Sequence, residues 1–523
     1  MGYRITVSDQ DGIPLKEAIA VVNGFLLPEN VAKECRRYIK ETAEAFSVIE
    51  MAEREQIVFG DSLLPVLKPL HIEGNHALLY GNGGMGFVWM SSDICMSNIR
   101  MEHFSTAVMM NGHGGTISGL TIRECSFRDF SSCCVMTGSD LPESVVRKVV
   151  VENCIFEGTP EQKVEGISDW FVAPVGIMLL AASCPDDRDI CDCVVEEVEI
   201  CNCTFRGRHR NSINTIPAAF ATESEKEAIH YSDRCMVRDI AVRRCNFEGA
   251  YDATINVMGS YMHNRESLTE NVEVCDCHLI YNIWGIYFCA AEPGQGTVDG
   301  ATVRNVNVHH NELCLRAGGS GEDSAALAIQ SGRLDYADGA KGNHGIVENI
   351  KMNDNVIHHT QHGIFFNGAD SMVDGKETEL IGNLIRNAEI CRNRLYDVDD
   401  CFTFYGVQME GRRVDVRLGI PPRTMRWLPP LESNAEKTGI ARENRIEGVV
   451  CKDNYCRQYK YKYKIAGARA GGHGIVADNG VDRDLLLEHN IFEDGEGHIL
   501  VEDQIVWDWV DAAGNYTAEQ YRK

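Results

Sequence analysis

Short strand-like stretches, in which apolar and polar residues alternate, fill the chain between about residues 70 and 505, and helical periodicity is largely missing there. One phrase recurs along them: Cys or Asn, then any residue, then an apolar residue. The phrase begins at ten positions, which are Cys125, Cys154, Cys203, Cys245, Cys277, Asn311, Asn355, Asn393, Asn454 and Asn490. Its spacing varies from 29 residues (125 to 154) to 61 residues (393 to 454). A constant phrase at a variable period is typical of a solenoid whose turns carry loops of different length.

Two or three short strands per turn, with polar corners between them, predict a parallel β-helix, so the expected fold class is all-β. Equivalent residues in such a coil stack about 4.8 Å apart. The first residue of each phrase should then form an inward ladder of five Cys followed by five Asn. Stacked thiols pack as small apolar groups, and stacked Asn amides hydrogen-bond along the ladder.

The chain has 21 cysteines, and the ladder explains many of them as free, buried thiols. Three Cys-x-Cys pairs are expected to place both thiols on one strand face, which leaves a metal site as the alternative to ladder packing. The pairs are Cys191 with Cys193, Cys201 with Cys203 and Cys275 with Cys277. Because no His–Cys finger spacing accompanies them, we expect no metal and no other cofactor.

The two ends of a solenoid need covering. Residues 29–46 follow Pro28 with helical spacing, and we predict an N-terminal capping helix there. The predicted organisation has three parts: residues 1–65 with a strand and this helix, a coil over 66–505, and a C-terminal cap over 506–523. Loop insertions are expected near 406–440 and 456–472.

With its repeated phrase and its Gly-Ile-apolar strand starts, such as 285–288 and 363–366, the chain resembles the right-handed parallel β-helix, pectate-lyase-like proteins. The resemblance covers roughly residues 65–505. It implies a right-handed coil and a carbohydrate-active enzyme, with the site in a groove along one sheet.

Charge limits the choice of partner. The chain carries 50 Lys and Arg against 77 Asp and Glu, a formal charge of −27, which argues against nucleic acid or an anionic membrane as the main partner. No apolar run approaches 18 residues, so no spanning helix is expected. The N-terminus has an alternating strand pattern and no secretion signal, and we therefore expect a cytoplasmic protein.

Alignment of the turns by the ladder predicts a polar stripe just before the second strand of each turn. The central turns place there Arg210, Asp252, Trp284, Asp323, His362, Asp399, Asp400 and His473. Four of the acids, Asp252, Asp323, Asp399 and Asp400, are the candidate catalytic residues. Arg210, Trp284, His362 and His473 are the candidate sugar-binding residues.

The spacing of the acids leaves the stereochemistry open. Alternate rungs lie about 10 Å apart and neighbouring rungs about 5 Å, so both an inverting and a retaining pair of carboxylates are compatible with the stripe. Asp399 and Asp400 point apart if they lie in a strand, whereas at a corner both can face the groove. His362 and Asp400 are expected on adjacent rungs, where the carboxylate can orient the imidazole.

Two local resemblances add to this picture. Asp399-Asp400-Cys401 and Gly472-His473-Gly474 are similar to steps of the polygalacturonase pattern, although its other motifs are not apparent. The segment 247–254 is similar to the region around the catalytic Asp of the inulin fructotransferase and difructose-anhydride hydrolase family. That resemblance implies that Asp252 and Glu266 carry the chemistry, and it implies a homotrimer with sites at subunit interfaces.

Two basic stretches are unusual in so acidic a chain. Residues 406–440 contain Arg412, Arg413, Arg417, Arg423, Arg426 and Trp427, of which Arg426 and Trp427 are candidate substrate-binding residues. Residues 457–469 carry five basic residues and no acid. Either stretch is compatible with a lid over an anionic or hydroxylated sugar or with a subunit contact. The Tyr-Lys alternation of 459–464 also fits an exposed strand with Lys guarding the edge.

The leading hypothesis is a glycoside hydrolase or glycosyl transferase that cleaves an oligosaccharide with paired carboxylates. A polysaccharide lyase or epimerase acting on uronates is the first alternative, and it would need a base for the C5 proton and a cation for the carboxylate. A non-catalytic sugar-binding solenoid is the second alternative.

Overall fold

The computed structural model describes residues 2–8, 11–60, 63–158, 174–184, 188–220, 231–250, 252–261, 263–293, 296–316, 324–334, 339–371, 378–409, 439–467, 469–470, 475–481 and 485–502. They form a right-handed parallel β-helix, as the sequence predicts. All the strand pairings described are parallel except that between β1 (Gly2–Val7) and β2 (Ile39–Thr42). We call each turn of the coil a rung and name four sheets by the order in which the chain visits them.

Sheet I holds the long strands that precede the repeated phrase. In rung order they are β1, β3 (Ser47–Met51), β6 (Leu70–Gly81), β8 (Ile94–Glu102), β10 (Thr116–Arg123), β13 (Val145–Glu152), β17 (Val194–Cys201), β21 (Met236–Arg243), β25 (Leu268–Cys275), β29 (Thr302–His309), β33 (Ile346–Asn353), β37 (Leu384–Cys391), β41 (Arg445–Lys452), β45 (Gly480–Val481) and β46 (Leu486–Glu488).

Sheet II follows the phrase and is narrow. It contains β4 (Gln56–Gly60), the later parts of β6 and β8, β11 (Ser126–Arg128), β14 (Ile155–Glu157), β18 (Thr204–Arg206), β22 (Asn246–Glu248), β26 (His278–Tyr281), β30 (Glu312–Leu315), the first parts of β34 (Val356–Asn367), β38 (Arg394–Tyr405) and β42 (Tyr455–Ala466), and β47 (Ile491–Glu493). Residues 455–466, which were expected to begin an insertion, are thus a strand of the coil.

Sheet III comes next in every turn. It contains β5 (Leu64–Val66), β7 (Met85–Trp89), β9 (Thr106–Met110), β12 (Cys133–Thr137), β15 (Val175–Cys184), β19 (Ile213–Phe220), β23 (Ala253–Tyr261), β27 (Trp284–Glu292), β31 (Ala325–Leu334), the later parts of β34, β38 and β42, and β48 (His498–Glu502), with the extensions β35 (Asp370–Ser371), β39 (Gln408–Met409) and β43 (Arg469–Ala470).

Sheet IV is a ladder of short strands that closes the turn before sheet I begins again. It contains β16 (Ile190–Cys191), β20 (Ser232–Asp233), β24 (Asn264–Arg265), β28 (Thr297–Asp299), β32 (Lys341–Asn343), β36 (Glu379–Ile381), β40 (Ile440–Arg442) and β44 (Ile475–Ala477).

The corner between sheets I and II contains the predicted Cys–Asn ladder. The amide of Asn311 donates to the side-chain oxygen of Asn355 at 3.0 Å, and Asn355 donates in the same way to Asn393 at 3.0 Å. Each phrase follows a residue with positive φ, such as Asp276 at 54°, which turns the chain at the corner. Burial raises the pKa of the Cys154 thiol well above its ordinary value, so this ladder thiol stays protonated.

A second asparagine ladder, which the sequence reading missed, lies between sheets IV and I. Asn383 donates to Asn444 at 2.9 Å, and Asn444 donates to Asn479 at 2.8 Å. Inside sheet II the phenylalanines of the phrase stack, with ring centroids 4.6 Å apart between Phe156 and Phe205. Equivalent residues of the repeat therefore form the hydrogen bonds that buried backbone groups need and fill the core on successive rungs.

The N-terminal helix is not at 29–46, where it was predicted. The helix α1 (Leu15–Asn23) follows Pro14 and ends at Gly24, whose φ is 83°. Its apolar residues bury one face, whereas the stretch 29–46 forms the 3₁₀ turns Pro28–Asn30 and Arg36–Tyr38 and the strand β2. Backbone hydrogen bonds between β1 and β2 outweigh the weak helical pattern of residues 29–46.

No helix within the described ranges is long and apolar enough to cross a membrane. The predicted C-terminal cap, residues 506–523, lies outside the described residues.

Candidate functional site

The outer face of sheet III changes character along the coil. One outward position per rung, followed through the strand register, reads Val88, Met109, Met136, Met178, Asn214, Asn256, Tyr287, Ala328, Phe365, Thr403, Lys464 and Leu500. The first four side chains are apolar, whereas the central rungs carry amides, aromatic rings and a cation. This change places the polar part of the face between β19 and β42.

Buried ionisable residues concentrate on the same sheet. Within the described ranges, nine Asp, Glu, Arg, Lys and His residues are at most 9% exposed, and all of them lie on sheet III or at its leading edge. They are Arg208, His209, Asp252, Glu292, Arg333, His362, Asp370, Asp400 and Lys462. Burying an ionisable group costs free energy unless a partner compensates it, so such a concentration indicates a functional site.

One part of this surface, which we call the Arg333 cluster, is built on an aromatic pair. The rings of Trp284 and Tyr287 stack with centroids 4.7 Å apart, and the Arg333 guanidinium carbon lies 4.3 Å from the Trp284 ring centroid. Tyr287 donates a hydrogen bond to Gln330 at 2.7 Å, and Gln330 donates to Asp370 at 3.2 Å. The aromatic pair and this hydrogen-bonded chain hold Arg333 and Asp370 in place.

Two carboxylates stand on either side of Arg333 in rung order. Arg333 pairs in register with Asp370, and Glu292 follows the pair Ala291–Gly332 on the other neighbouring strand. Two strand spacings, about 9.6 Å, therefore separate the backbones of Glu292 and Asp370. Both carboxylates are largely buried, at 8% and 7% exposure, yet retain some access to solvent.

A second part, the Asp400 cluster, lies on the next rungs. His362 and Asp400 pair in register, as the sequence predicts, and Nδ1 of His362 lies 2.8 Å from Oδ2 of Asp400. Lys464 donates to the same oxygen at 2.7 Å, and the Thr403 hydroxyl lies 3.3 Å from the imidazole Nδ1. No described residue hydrogen-bonds Nε2 of His362, which leaves that nitrogen to act on a ligand.

The protonation of Asp400 follows from its surroundings. Burial raises the pKa of this carboxyl, but the hydrogen bond from His362 and the charges of His362 and Lys464 outweigh burial and hold the pKa below its ordinary value. Asp400 is therefore ionised at neutral pH and cannot serve as a general acid. Its carboxylate instead fixes the orientation of the His362 ring.

Unsatisfied polar atoms mark the space between the clusters. Asn367 lies in register between Gln330 and Tyr405, is fully buried, and has no hydrogen-bond partner in the described chain for either side-chain atom. Oδ1 of Asp400 is likewise buried without a partner there. Because buried polar groups are nearly always satisfied, these atoms point to water or ligand hydroxyls as their partners.

Asp252 and Asp400, at the two ends of the predicted row of acids, lie far apart in the structure. Asp252 lies at the leading edge of sheet III, with its carboxylate 4.0 Å from Nε of Arg210. Trp284 pairs with Ala253 rather than with Asp252, and four rungs, about 19 Å, separate β23 from β38. Asp252 and Asp400 therefore cannot act as a catalytic pair.

Two further candidates lie away from the face. Asp399 is exposed, whereas its neighbour Asp400 is buried. Glu266 is exposed and follows sheet IV, so that the whole of β23 lies between it and Asp252. The pair Asp252–Glu266 is thus not brought together within one chain.

Trp284 is 9% exposed, and its contacts with Tyr287 and Arg333 leave little ring surface for the predicted stacking on a sugar. Tyr461, not the predicted His473, pairs in register with Asp400. Four candidates lie outside the described residues, namely Asp323, His473, Arg426 and Trp427.

Sequence reasoning missed Glu292, Arg333 and Asp370. Glu292 and Arg333 lie near the ends of β27 and β31, and Asp370 begins the extension β35, so all three lie beyond the strand starts that the alignment compares. The only local signal is a charged residue that closes a long apolar run, as in 284–292 and 325–333.

No family model matches the chain, and no curated protein sequence matches it. Among solved structures, the coil is similar to PfbA, a surface adhesin of Streptococcus pneumoniae, at 11% identity and a TM-score of 0.34, over 86% of this chain and 88% of that chain. It is similar to the tailspike protein of E. coli bacteriophage HK620, in complex with a pentasaccharide, at 11% identity and a TM-score of 0.35, over 95% and 80%. It is also similar to a GH136 lacto-N-biosidase from Eubacterium ramulus, at 12% identity and a TM-score of 0.26, over 77% and 62%.

Proposed function

We propose that the protein is a carbohydrate-active enzyme that hydrolyses glycosidic bonds on the outer face of sheet III. The observation that carries this proposal is that all nine buried charged or imidazole side chains of the described residues belong to sheet III or to its leading edge, although His209 among them packs against the core rings of Phe130 and Phe205. Amide, hydroxyl and carboxylate groups beside aromatic rings suit the hydroxyls and ring faces of a sugar. The unsatisfied amide of Asn367 supplies one donor and one acceptor for such hydroxyls.

In the proposed mechanism, Glu292 protonates the leaving oxygen and Asp370 activates the attacking water. Asp370 accepts a hydrogen bond from Gln330, as suits an ionised base, and Arg333 beside it stabilises negative charge. Carboxylates roughly 6.5–9.5 Å apart leave room for a water and invert the anomeric configuration. The backbones of Glu292 and Asp370 are about 9.6 Å apart, close to the upper end of that range, and their side chains set the separation of the carboxylates. Trp284 acts as a positioning residue, because it contacts the Arg333 guanidinium.

A second candidate function uses the Asp400 cluster. His362, oriented through Nδ1 by Asp400 and with Nε2 directed to a ligand, is arranged as a general base. Such a base could remove the C5 proton of a uronate, with Lys464 beside it to attract the sugar carboxylate. The specific observation in its favour is the His362–Asp400 pair. The reaction would be an elimination or an epimerisation.

Product analysis separates these chemistries. Purified protein is incubated with neutral, fructose-based and uronate oligosaccharides, and the products are analysed by mass spectrometry and ultraviolet absorbance. We expect a product that has gained one water, and we expect the Glu292→Gln variant to lose it. A product with a new ultraviolet-absorbing double bond, lost in His362→Gln but retained in Glu292→Gln, would replace hydrolysis by elimination.

A sheet I variant controls for general damage. Glu270→Gln alters a partly buried glutamate of sheet I whose side chain pairs with Arg304, and it should leave turnover unchanged. Binding of a sugar without any product, by the wild type and all variants, would contradict the enzymatic proposal and favour a sugar-binding solenoid.

A further inference from the structure

Sheet I brings three different metal-ligating groups together on its outer side. Glu273 and Cys275 lie two residues apart on β25, and His309 on β29 is the register partner of Cys275. One oxygen of Glu273, the thiol sulfur and one imidazole nitrogen all lie within 4.8 Å of one another. A carboxylate, a thiolate and an imidazole are the ligand types that zinc takes.

Neighbouring groups fix which atom of each side chain faces the centre of this trio. Arg243 donates to Oε2 of Glu273 at 2.8 Å, which leaves Oε1 facing Nε2 of His309 at 3.3 Å. Nδ1 of His309 lies 2.8 Å from Nδ1 of His310, so Nε2 is the nitrogen presented to the trio. Metal ligands are commonly oriented by such outer contacts.

The thiol faces the trio because of the corner geometry. The sequence analysis expected Cys275 and Cys277 to share one face, and the structure does not bear this out. Asp276 between them has a φ of 54°, which breaks the strand alternation. Cys277 therefore joins the inward ladder, where its sulfur lies 3.5 Å from the backbone nitrogen of Cys245. Cys275 remains beside Glu273, outside the ladder.

The repeat itself provides a comparison. The motif Glu-x-Cys occupies the same place on three strands of sheet I, in the segments 199–201, 273–275 and 389–391. On the next strand of sheet I, the residue that pairs with the cysteine is Arg243 for the first segment and Lys452 for the third. Only the middle segment has an imidazole there, His309. Of the three segments, only 273–275 therefore completes a set of three metal-ligating side chains. The other two segments have a cation at the position that His309 occupies here.

We propose that Glu273, Cys275 and His309 bind a Zn²⁺ ion, with water as a fourth ligand. Binding converts the Cys275 thiol to a thiolate and releases one proton to solvent, and it forms bonds to sulfur, to Nε2 of His309 and to Oε1 of Glu273. Zinc bonds of about 2.0–2.3 Å require ligand atoms roughly 3.3–3.8 Å apart. The trio needs to close by only about 1 Å, which side-chain rotation supplies.

The site is open to exchange with solvent. The side chains of Glu273 and His309 are 31% and 23% exposed, so a metal can enter without unfolding of the coil. The trio lies on sheet I and uses none of the groups of sheet III. The proposal is therefore independent of the glycosidase chemistry.

Metal titration of the full chain tests the proposal. Chelator-treated protein is titrated with Zn²⁺ against a chromophoric competitor, and with Co²⁺ to detect the thiolate-to-metal charge-transfer absorbance. Cys275→Ser and His309→Gln should each lose one bound equivalent, and Cys275→Ser should lose the charge-transfer absorbance. His310→Ala should keep the stoichiometry but weaken binding by about 10–100-fold, as expected for an outer contact.

The matched controls are Cys201→Ser and Cys391→Ser, which remove the thiols of the two equivalent motifs and should leave both signals intact. The proposal is overturned if Cys275→Ser binds metal as the wild type does, or if the control variants lose as much metal as Cys275→Ser. Circular dichroism of the metal-free variants verifies folding. If Cys275→Ser does not fold, the partly exposed His309→Gln decides the result.

Discussion

Sheets I and III both carry charged residues, but these residues differ in their exposure and in their partners. On sheet I, one outward position alternates in sign through eight rungs: Arg147, Glu196, Arg238, Glu270, Arg304, Glu348, Arg386 and Glu447. Nε of Arg386 donates to Glu348 at 2.7 Å, and in three of these pairs the arginine side chains are 39–43% exposed and the glutamate side chains 12–14% exposed. On sheet III the charges are buried, few and next to unsatisfied atoms.

The difference separates charges that serve the coil from charges that serve a ligand. Exposed pairs such as those of sheet I each contribute about 0.2–1 kcal/mol, and their alternation prevents like charges from stacking. The buried charges of sheet III cost desolvation, which a structural role alone does not require. The comparison therefore favours a structural role for the charges of sheet I and supports the role proposed for those of sheet III.

The largest effect is expected at the proposed acid. Glu292→Gln removes the proton donor and should lower kcat by about 10²–10⁴-fold on a natural oligosaccharide. The loss should be much smaller on an aryl glycoside of the same sugar, because its leaving group departs without a proton. Initial rates on both substrates check this. Equal losses on the two substrates would remove Glu292 from the role of acid.

Asp400→Asn tests the cost of disrupting a buried charge group. The change leaves His362 and Lys464 without their anion and should lower the free energy of unfolding by about 3 kcal/mol at pH 7. The folded-state pKa of Asp400 is lowered, so its stabilisation is complete above the unfolded pKa of about 3.9 and fades as pH falls through the folded value. Urea unfolding at pH 7 and pH 3 should show the difference between variant and wild type shrink. A difference that grows at pH 3 would contradict this origin.

The interior ladder should be less sensitive than the buried charges. Asn393→Ala leaves the backbone N–H of Asn355 without its acceptor and the ladder interrupted, at a cost of about 1–3 kcal/mol. Asn246→Ala, on the exposed side of sheet II, should change stability by less than about 0.5 kcal/mol. Thermal unfolding of both variants measures the contrast, and equal shifts would mean that the ladder does not carry stability.

The smallest effect belongs to sheet I. Glu270→Arg places three cations on successive rungs, with Arg238 and Arg304 as neighbours. We expect a loss of about 0.5–1 kcal/mol that fades in high salt, because exposed charges are screened. Unfolding at low and high NaCl concentration tests the salt dependence. A loss of several kcal/mol, unaffected by salt, would mean that the row does more than hold register.

The coil and its corner ladder could be predicted because their signal is local and repeated. Cys or Asn at the corner is required on every rung, so ten copies of the phrase reveal it. The His362–Asp400 pairing was predictable for the same reason, because both residues keep a constant distance from the phrase.

The rest of the site could not be read from the sequence in this way. Arg333 meets Trp284 at 4.3 Å although it lies eight residues beyond that residue's register partner, Ala325. No periodic pattern in the sequence encodes this contact. The prediction of a helix over 29–46 was wrong because residues 39–42 pair with β1, and that contact is not local in the sequence.

The most direct test of the central claim is the turnover of Asp370→Asn, measured by mass spectrometry of the products from the substrate that the oligosaccharide panel identifies. We predict loss of the hydrolysed product in this variant, with sugar binding retained and with full turnover in the sheet I control Glu270→Gln. Hydrolysis by Asp370→Asn at the wild-type rate would contradict the account, because the outer face of sheet III would then lack its proposed base.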